Sequence, residues 1–198
     1  VLDLSKNKLM AHDVYMLRCA DAAIRPDDGT LTIYPGAQMD TLEDAKILVD
    51  VENKLHEYYN SRIHVASSQI FSANGYIDYV DENKKKHSIF IKEINPLSGH
   101  SVGKGEITKE NALALSPAFN FFGNVQINAQ DTNYHFDGGV QIATDCYDKE
   151  AAWIKFSAQI DPHSIYIPIS EAPVDIDNNR ITASVLFNPE TLEPKIAF

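Results

Sequence analysis

The sequence predicts a mainly β fold, either a stacked-rung β-solenoid or an open β-jellyroll, with little helix. Three observations support this fold class: a 23-residue block recurs without a gap, apolar residues alternate with a period of two, and helix signals are few. Sequence repeats of about 20–50 residues are typical of units that stack and bury a face against their neighbours. Period-two alternation is typical of strands with one buried face.

The recurring block covers residues 16–38, 39–61 and 62–84. Asp21–Asp27 and Asp44–Asp50 share the pattern D-A-x-I-x-x-D, and the third block has a weaker copy at residues 67–70. Stacked rungs place equivalent residues of successive blocks next to one another in the core. We therefore expect two ladders of neighbouring side chains: Ile24, Ile47 and Ile70, and Cys19, Leu42 and Val65.

Strand signals continue along the whole chain. A second echo links residues 123–127 with residues 138–142, where the pattern G-x-V-Q-I recurs after 15 positions. Residues 81–84 are polar and predict a turn between two strands. The predicted strands are residues 31–34, 62–65, 76–80, 87–91, 119–127, 134–142, 153–156, 165–167 and 180–187.

Helix signals are confined to two places. Residues 108–115 predict two helical turns with Thr108 as N-cap, and Pro117 limits their length. Residues 10–24 also have an amphipathic composition. However, their aligned copy at residues 62–70 alternates like a strand, so we expect strand there as well.

The charge balance makes nucleic-acid binding an unfavourable hypothesis. The 198-residue chain has 28 acidic and 17 basic side chains, a net charge of −11. Phosphate backbones are bound by clustered Lys and Arg. The only basic run is Lys84-Lys85-Lys86, which we interpret as a solvated turn. Hydrophobic residues make up 44% of the chain, a globular composition.

No apolar stretch of the sequence approaches the roughly 18 residues that cross a bilayer as a helix. The chain begins at Val1 in the middle of a pattern, so we expect a processed product or an excised fragment of an exported protein. Cys19 and Cys146 fit no zinc spacing, and they predict either one disulfide or two buried thiols. We expect residues 1–160 to form the repeat-containing stack. Residues 161–198, rich in proline, would add strands or a cap on the same domain.

Gly99-His100-Ser101-Val102-Gly103 matches G-x-S-x-G, the nucleophile elbow of α/β-hydrolases. That motif needs a tight turn from a strand into a helix, whose N–H groups hold the oxyanion. Here Pro96 precedes the motif and Gly105 stands where the helix would begin. We therefore interpret Ser101 as a loop residue, although Asp161 and His163 are formally available as triad partners. The same stretch is also one residue too short for a phosphate-binding loop.

Metal-binding patterns are weak. Residues 175–179 begin like a calcium loop, but Arg180 replaces the glycine and Leu186 replaces the bidentate glutamate, so a polar turn is the better interpretation. The seven histidines show no metal-binding spacing. They are His12, His56, His64, His87, His100, His135 and His163. The sequence therefore predicts no metal, no cofactor and no catalytic residue.

Two groups of residues suit carbohydrate chemistry by type. Tyr58, Tyr59, Tyr76, Tyr79 and Trp153 are aromatic and suit a platform for a sugar ring, although most are expected to be half-buried strand residues. An acidic group follows the glycine-rich strand. Carboxylate pairs cleave glycosides only at a defined separation, which a sequence does not give. The acidic residues are Asp137, Asp145, Asp148 and Glu150.

The pattern of short strands punctuated by G-x-V resembles the organic-solvent-tolerance-like family, which includes the periplasmic bridge of lipopolysaccharide transport. The resemblance covers residues 16–145. It implies an open stack of antiparallel rungs that binds acyl chains along a groove. The proline-rich segment after Asp161 departs from the family pattern. The segments that carry the resemblance are residues 44–47, 72–77, 122–127 and 136–142.

Together these observations predict a non-catalytic structural or ligand-binding β module of a larger exported, periplasmic or envelope-associated protein. The expected ligand is an amphipathic lipid or a glycan. Two alternatives stay open at this point. One is a hydrolase of polysaccharide or ester bonds, based on Ser101 and the acidic residues. The other is a self-assembly module, because an open stack leaves unpaired strand edges that a second copy or a neighbouring domain can extend.

Overall fold

The structure is a computed structural model that describes residues 2–3, 7–143, 151–182, 184–187 and 194–197. The chain divides into two compact units. Unit 1 contains the residues up to Tyr79 together with Ser88–Glu106 and Gln126–Tyr134. Unit 2 contains Val80–His87, Ile107–Val125 and the residues from His135 onward. The expected division at residues 160/161 stays a prediction.

The predicted mainly β character is confirmed. Every strand pair with a defined register is antiparallel, and the described residues contain no α-helix beyond a short 3-10 turn at Pro35–Ala37. The strands are β1 Leu2–Asp3, β2 Lys8–Ala11, β3 Leu17–Cys19, β4 Ala22–Arg25, β5 Leu31–Ile33, β6 Leu42–Val49, β7 His56–Ser67, β8 Ile70–Val80, β9 Lys86–Leu97, β10 His100–Ile107, β11 Leu113–Ser116, β12 Phe119–Asn128, β13 Tyr134–Ile142, β14 Ile154–Ile160, β15 Ser184–Phe187 and β16 Pro194–Ala197.

Unit 1 is built on a meander of hydrogen-bonded strands in the order β10-β9-β8-β7-β6-β4-β3. Burial alternates along β7, β8 and β10, as expected for strands that place one face against a core. A separate small sheet has the order β1-β2-β5. The fully buried large side chains of unit 1 include Ile24, Ile47, Tyr58, Ile63, Phe71, Tyr79, Ile91 and Ile94.

The expected residue ladders hold for one pair only. Ile24 lies directly opposite Ile47 in the β4–β6 pair, and both are fully buried. Ile70 instead begins β8 with 59% of its surface exposed. The second ladder is wrong, because Cys19 pairs with Ala22 and Val65 pairs with Phe71. In antiparallel neighbours the sum of partner residue numbers is constant, so a fixed sequence period does not set their pairing.

Most predicted strands are confirmed, including β12 and β13, whose predicted bounds match to within one residue. Two predictions are wrong. Residues 165–167 form no strand. Residues 108–115 form a turn, closed by the Asn111 N–H donating to the Thr108 carbonyl, followed by β11. Leu113 and Leu115 alternate into the core there, and this burial outweighs local helix propensity.

Unit 2 has the strand order β14-β13-β12, with β11 also paired to β12 and a separate β15–β16 hairpin. Phe121 contacts Phe136 and Phe156 edge to face, with ring centroids 4.9 and 6.2 Å apart. Gly123 and Gly138 approach each other so closely that a Cβ on either would lie 2.7 Å from the Cα of the other. The G-x-V echo of the sequence therefore marks a close contact between two antiparallel strands.

Candidate functional site

The outer face of the unit 1 sheet carries three aromatic side chains, which we call the aromatic ladder: Tyr59 on β7, Tyr76 on β8 and Phe90 on β9. The ring centroids of Tyr59 and Tyr76 are 6.0 Å apart and stacked, and those of Tyr76 and Phe90 are 5.2 Å apart and tilted. Tyr76 is 38% exposed and Phe90 is 45% exposed. Since the three rings follow one another on adjacent strands, they form a continuous half-exposed aromatic surface.

The first ring of the ladder is fixed by its hydroxyl. Tyr59 Oη donates to Asp78 Oδ1 at 2.8 Å and lies 2.6 Å from Ser88 Oγ. These two partners stand on β8 and β9, so the hydroxyl ties three strands together on the same face. A ring held in this way loses little conformational freedom when a ligand stacks on it, which favours binding.

The rest of this outer face is polar. Three exposed ion pairs join side chains on neighbouring strands. Pairs of this kind contribute little to stability, so their main effect is on the character of the surface. The open face is therefore charged and hydrogen-bonding around an apolar centre. The pairs are Lys46–Glu57 at 2.9 Å, Arg62–Glu43 at 3.2 Å and Lys92–Glu106 at 3.0 Å.

The structure separates the aromatic residues that the sequence suggested for a sugar platform. Tyr58 and Tyr79 are 1% and 0% exposed and belong to the core, whereas Tyr59 and Tyr76 lie on the outer face. Trp153 is in unit 2, edge to face with Phe122 at 4.8 Å, and Lys109 Nζ lies 4.7 Å above the Phe122 ring. The sequence reasoning missed Phe90, although its outward position follows from the period-two alternation of β9.

A second feature of unit 1 is an open cavity of about 650 Å³, which we call the polar cavity. Turns and strand ends at β3–β4, after β6, at β7–β8, at β9–β10 and after β12 converge on it. This volume is within the range of small-molecule sites. The side chains important for its chemistry are Arg18, Asp21, Glu52, Gln69, His100 and Gln130.

Asp21 is the most constrained residue of the polar cavity. Its carboxylate accepts the Ser101 N–H at 2.7 Å and the Ser101 hydroxyl at 2.5 Å. Its own carbonyl accepts the Val51 N–H at 3.0 Å. The preceding residue, Ala20, donates its N–H to the Ser68 carbonyl at 3.1 Å. The β3–β4 turn is therefore tied to three other segments of unit 1.

The G-x-S-x-G stretch forms the β9–β10 hairpin, not a strand-to-helix turn. The interpretation of Ser101 as a loop residue is wrong, because Ser101 is 1% exposed on β10, which continues as strand to Ile107. Its hydroxyl is bonded to the Asp21 carboxylate and not to the imidazole that activates a serine nucleophile. The structure therefore gives Ser101 a structural hydrogen-bonding role that its sequence neighbourhood did not reveal.

The calcium-like segment is a turn in unit 2 stabilised by its own hydrogen bonds. Asp175 Oδ1 accepts the N–H groups of Asp177 and Asn179 at 2.9 and 2.8 Å, and Oδ2 accepts Asn179 Nδ2 at 2.9 Å. These bonds, led by that from the Asn179 side chain, lower the pKa of Asp175. The polar-turn interpretation fits this geometry. Across the described residues, no group of three or more His, Cys, Asp or Glu is arranged to hold a metal ion.

Two histidines have hydrogen-bond partners in part-buried surroundings. His56 is 4% exposed in unit 1, where its Nε2 lies 2.7 Å from the Asp131 carbonyl and its ring meets Tyr134 edge to face. Burial lowers the pKa of His56. In unit 2, His87 Nε2 lies 2.9 Å from Asp81 Oδ2, and this contact is the main reason that the pKa of Asp81 is lowered.

Cys19 is a buried free thiol whose Sγ donates to the Ser67 carbonyl at 3.2 Å, and burial raises its pKa. Its expected partner Cys146 lies outside the described residues. Of the four acidic residues that follow the glycine-rich pattern, Asp137 is on β13. The other three, Asp145, Asp148 and Glu150, lie outside the described residues, as Cys146 does. Among the described residues, no helix has the length and apolar character to cross a bilayer.

Comparison with protein-family models, with curated proteins and with solved structures finds no match. The function of this chain is therefore inferred from its own geometry.

Proposed function

We propose that this protein is a non-catalytic binding module whose ligand is a glycan chain. The observation that carries the proposal is the aromatic ladder of Tyr59, Tyr76 and Phe90, half-exposed across three adjacent strands. A pyranose ring has an apolar face of C–H groups and a polar rim of hydroxyls. The apolar face stacks on the electron-rich face of an aromatic ring, and the hydroxyls bond to polar groups beside it.

Of the two ligand classes that the sequence suggested, the outer face favours a glycan over a lipid. An acyl chain needs a continuous apolar groove, because burying charged groups against it is costly. The aromatic ladder instead stands among ion pairs such as Lys92–Glu106 and Lys46–Glu57. The hydroxyl and carboxylate groups of Ser88 and Asp78 lie beside the first ring. An apolar centre surrounded by polar groups matches the successive sugar rings of a glycan chain, each of which has an apolar face and a rim of hydroxyls.

A polysaccharide co-sedimentation assay tests the proposal. The protein is mixed with insoluble cellulose, chitin, starch granules or peptidoglycan, and the bound fraction is measured by sedimentation. We expect at least one polymer to retain the protein, and we expect Tyr76→Ala and Phe90→Ala to abolish retention. The matched control is Tyr166→Ala, which removes an aromatic ring that is 75% exposed in unit 2. The proposal fails if no polymer is bound, or if the control variant loses as much binding as the ladder variants.

Self-association is the second candidate function, and one observation favours it. Ile70 is 59% exposed at the β7–β8 turn and lines a cavity of about 510 Å³ together with Ala66, Phe71 and Pro96. A large exposed apolar side chain beside an open cavity offers a contact point for a second copy of the chain. Light scattering over a concentration series, with Ile70→Ser as the variant, tests this candidate. An unchanged mass at every concentration would exclude it.

The remaining sequence expectations stay predictions. They are the hydrolase alternative, the resemblance to the organic-solvent-tolerance-like family and the exported, envelope-associated location. The carboxylate partner of Ser101 does not support the serine-esterase form of the hydrolase alternative.

A further inference from the structure

We propose that the polar cavity of unit 1 is a second ligand site, which takes a single sugar unit or a disaccharide without charge, with Asp21 as its anchoring acceptor. The proposal takes only its ligand class from the proposed function. It depends on a different set of residues, at the turns of unit 1, and none of them belongs to the aromatic ladder.

The polar cavity is preorganised around Asp21. The Ser101 N–H and hydroxyl fix the orientation of the carboxylate, and the Val51 N–H fixes the backbone of the same residue. A binding group that is already held in one orientation loses less entropy when a ligand arrives. A carboxylate has about four lone-pair positions, and Ser101 uses two of them. Asp21 therefore keeps acceptor capacity for ligand hydroxyls.

The other polar side chains of the cavity are available to bond a ligand. Among the described residues, the side chains of Arg18, Glu52, Gln69, His100 and Gln130 make no hydrogen bond with one another or with any other residue. Asp50, which also lines the cavity, differs because its carboxylate accepts the Glu52 N–H at 3.0 Å and Asn53 Nδ2 at 2.6 Å. The cavity therefore combines one carboxylate of fixed orientation, that of Asp21, with side chains that can reorient toward a ligand.

The chemical groups that line the polar cavity indicate the class of ligand. The available walls contain one guanidinium, one carboxylate, one imidazole and two carboxamides, so donors and acceptors are mixed. A hydroxyl group both donates and accepts, and it matches such a mixture without bringing charge. With Asp21, Asp50 and Glu52 against Arg18, the lining is net negative, which disfavours phosphate, sulfate and uronate ligands. A neutral polyhydroxylated ring fits the cavity best.

The experiment is an NMR titration of the isotope-labelled full chain with a panel of soluble sugars. The panel contains glucose, galactose, mannose, N-acetylglucosamine, cellobiose, maltose and lactose, with glucuronate as the charged comparison. We expect at least one neutral sugar to shift the backbone amide signals of Asp21, Gln69 and His100 in a saturable way, and glucuronate to bind at least about tenfold more weakly.

The decisive variant is Asp21→Asn, which keeps the size of the side chain and an oxygen that can accept the Ser101 N–H. We expect it to fold, as judged by an unchanged spectrum elsewhere, and to bind the sugar at least about tenfold more weakly. Gln69→Ala, a change at an exposed residue, provides a second variant with the same expected direction. Arg62→Ala, an exposed residue of the outer face that pairs with Glu43, is the control that leaves this binding intact.

The possible outcomes separate this proposal from the proposed function. If no sugar shifts the cavity signals, or if Asp21→Asn and Gln69→Ala bind as well as the unmodified protein, the cavity proposal is wrong. Retention on a polymer that depends on Tyr76 would in that case still support the aromatic ladder. Conversely, sugar binding that depends on Asp21, without retention on any polymer, supports the cavity and overturns the ladder.

Discussion

Tyr58 and Tyr59 are consecutive residues of the same type on β7, and the structure gives them opposite roles. Tyr58 is 1% exposed and packs in the core of unit 1, where its hydroxyl lies over Gly103. Tyr59 stands on the outer face, held by Asp78 and Ser88 and stacked on Tyr76. Because side chains alternate along a strand, one residue step separates a position in the core from a position on the outer face, where we propose that a glycan binds.

The largest expected difference between the two tyrosines is in stability. Tyr58→Ala empties a large buried position and should lower the free energy of unfolding by about 3–5 kcal/mol. Tyr59→Ala removes a half-exposed stacked ring together with its hydrogen bond and should cost about 1–2.5 kcal/mol. Urea denaturation followed by circular dichroism measures both. Equal losses in the two variants would contradict the assignment of the rings to opposite faces.

A second substitution tests how tightly Tyr58 is packed in the core. In Gly103→Ala, the new Cβ would lie 2.6 Å from the Tyr58 hydroxyl oxygen and 3.2 Å from Ile91 Cγ2. Overpacking of this kind costs about 1–3 kcal/mol. Adding Tyr58→Phe removes the hydroxyl from the closest contact, so the double variant should recover part of the loss. A double-mutant cycle in urea measures this coupling, and strictly additive effects would argue against the contact.

A third substitution tests the hydroxyl of Tyr59 on the outer face. Tyr59→Phe removes the hydroxyl that bonds to Asp78 and lies beside Ser88, and it should cost about 0.5–1.5 kcal/mol of stability. Polymer retention should also weaken, because the first ring of the aromatic ladder loses its fixed orientation. Tyr76→Phe is the matched control. It keeps the stacked ring, and we expect it to leave retention unchanged.

The smallest expected effect is on pH dependence, and it concerns His56, another inner residue of β7. Burial lowers its pKa in the folded state below the ordinary value of 6.5. As the pH falls through 6.5, the unfolded chain binds a proton that the folded chain does not, so stability decreases. The contribution is fully present above this pH. Unfolding free energies measured between neutral pH and pH 5 should show this slope, and His56→Gln should flatten it.

Long alternating segments were predictable from the sequence, and pairings were not. β13 was predicted with both its bounds, because nine residues of consistent pattern outweigh local ambiguity. Residues 165–167 alternate too, but they are few and Pro168 follows them directly, which leaves little to support a strand. The ladders failed for a different reason. The pairing of Ile47 with Ile24 and with Tyr58 depends on the hairpins and on shifts within β6.

The candidate sites show the same limit. Tyr59 and Tyr76 were recognised by residue type, and alternation along β9 is enough to place Phe90 on the outer face with them. The bond between Asp21 and Ser101 joins residues 80 positions apart, and no local pattern indicates it. It exists because separate turns converge at the polar cavity. The sequence around Ser101 matches a nucleophile motif only formally and predicted a loop residue, whereas in the structure the Ser101 hydroxyl donates to the Asp21 carboxylate.

The close approach of Gly123 and Gly138 also explains part of the sequence similarity between β12 and β13. Each glycine meets the other in the same way, with the carbonyl of the residue before its partner beside it. Phe121 and Phe136, and likewise Val125 and Val140, occupy equivalent buried positions about that point. The two glycines differ in backbone conformation, because Gly123 has a φ of +134°, in the region that favours glycine, and Gly138 does not lie in that region. A Cβ at either position would collide with the backbone of the facing strand, so the close contact by itself accounts for the recurring glycine, without any tandem duplication.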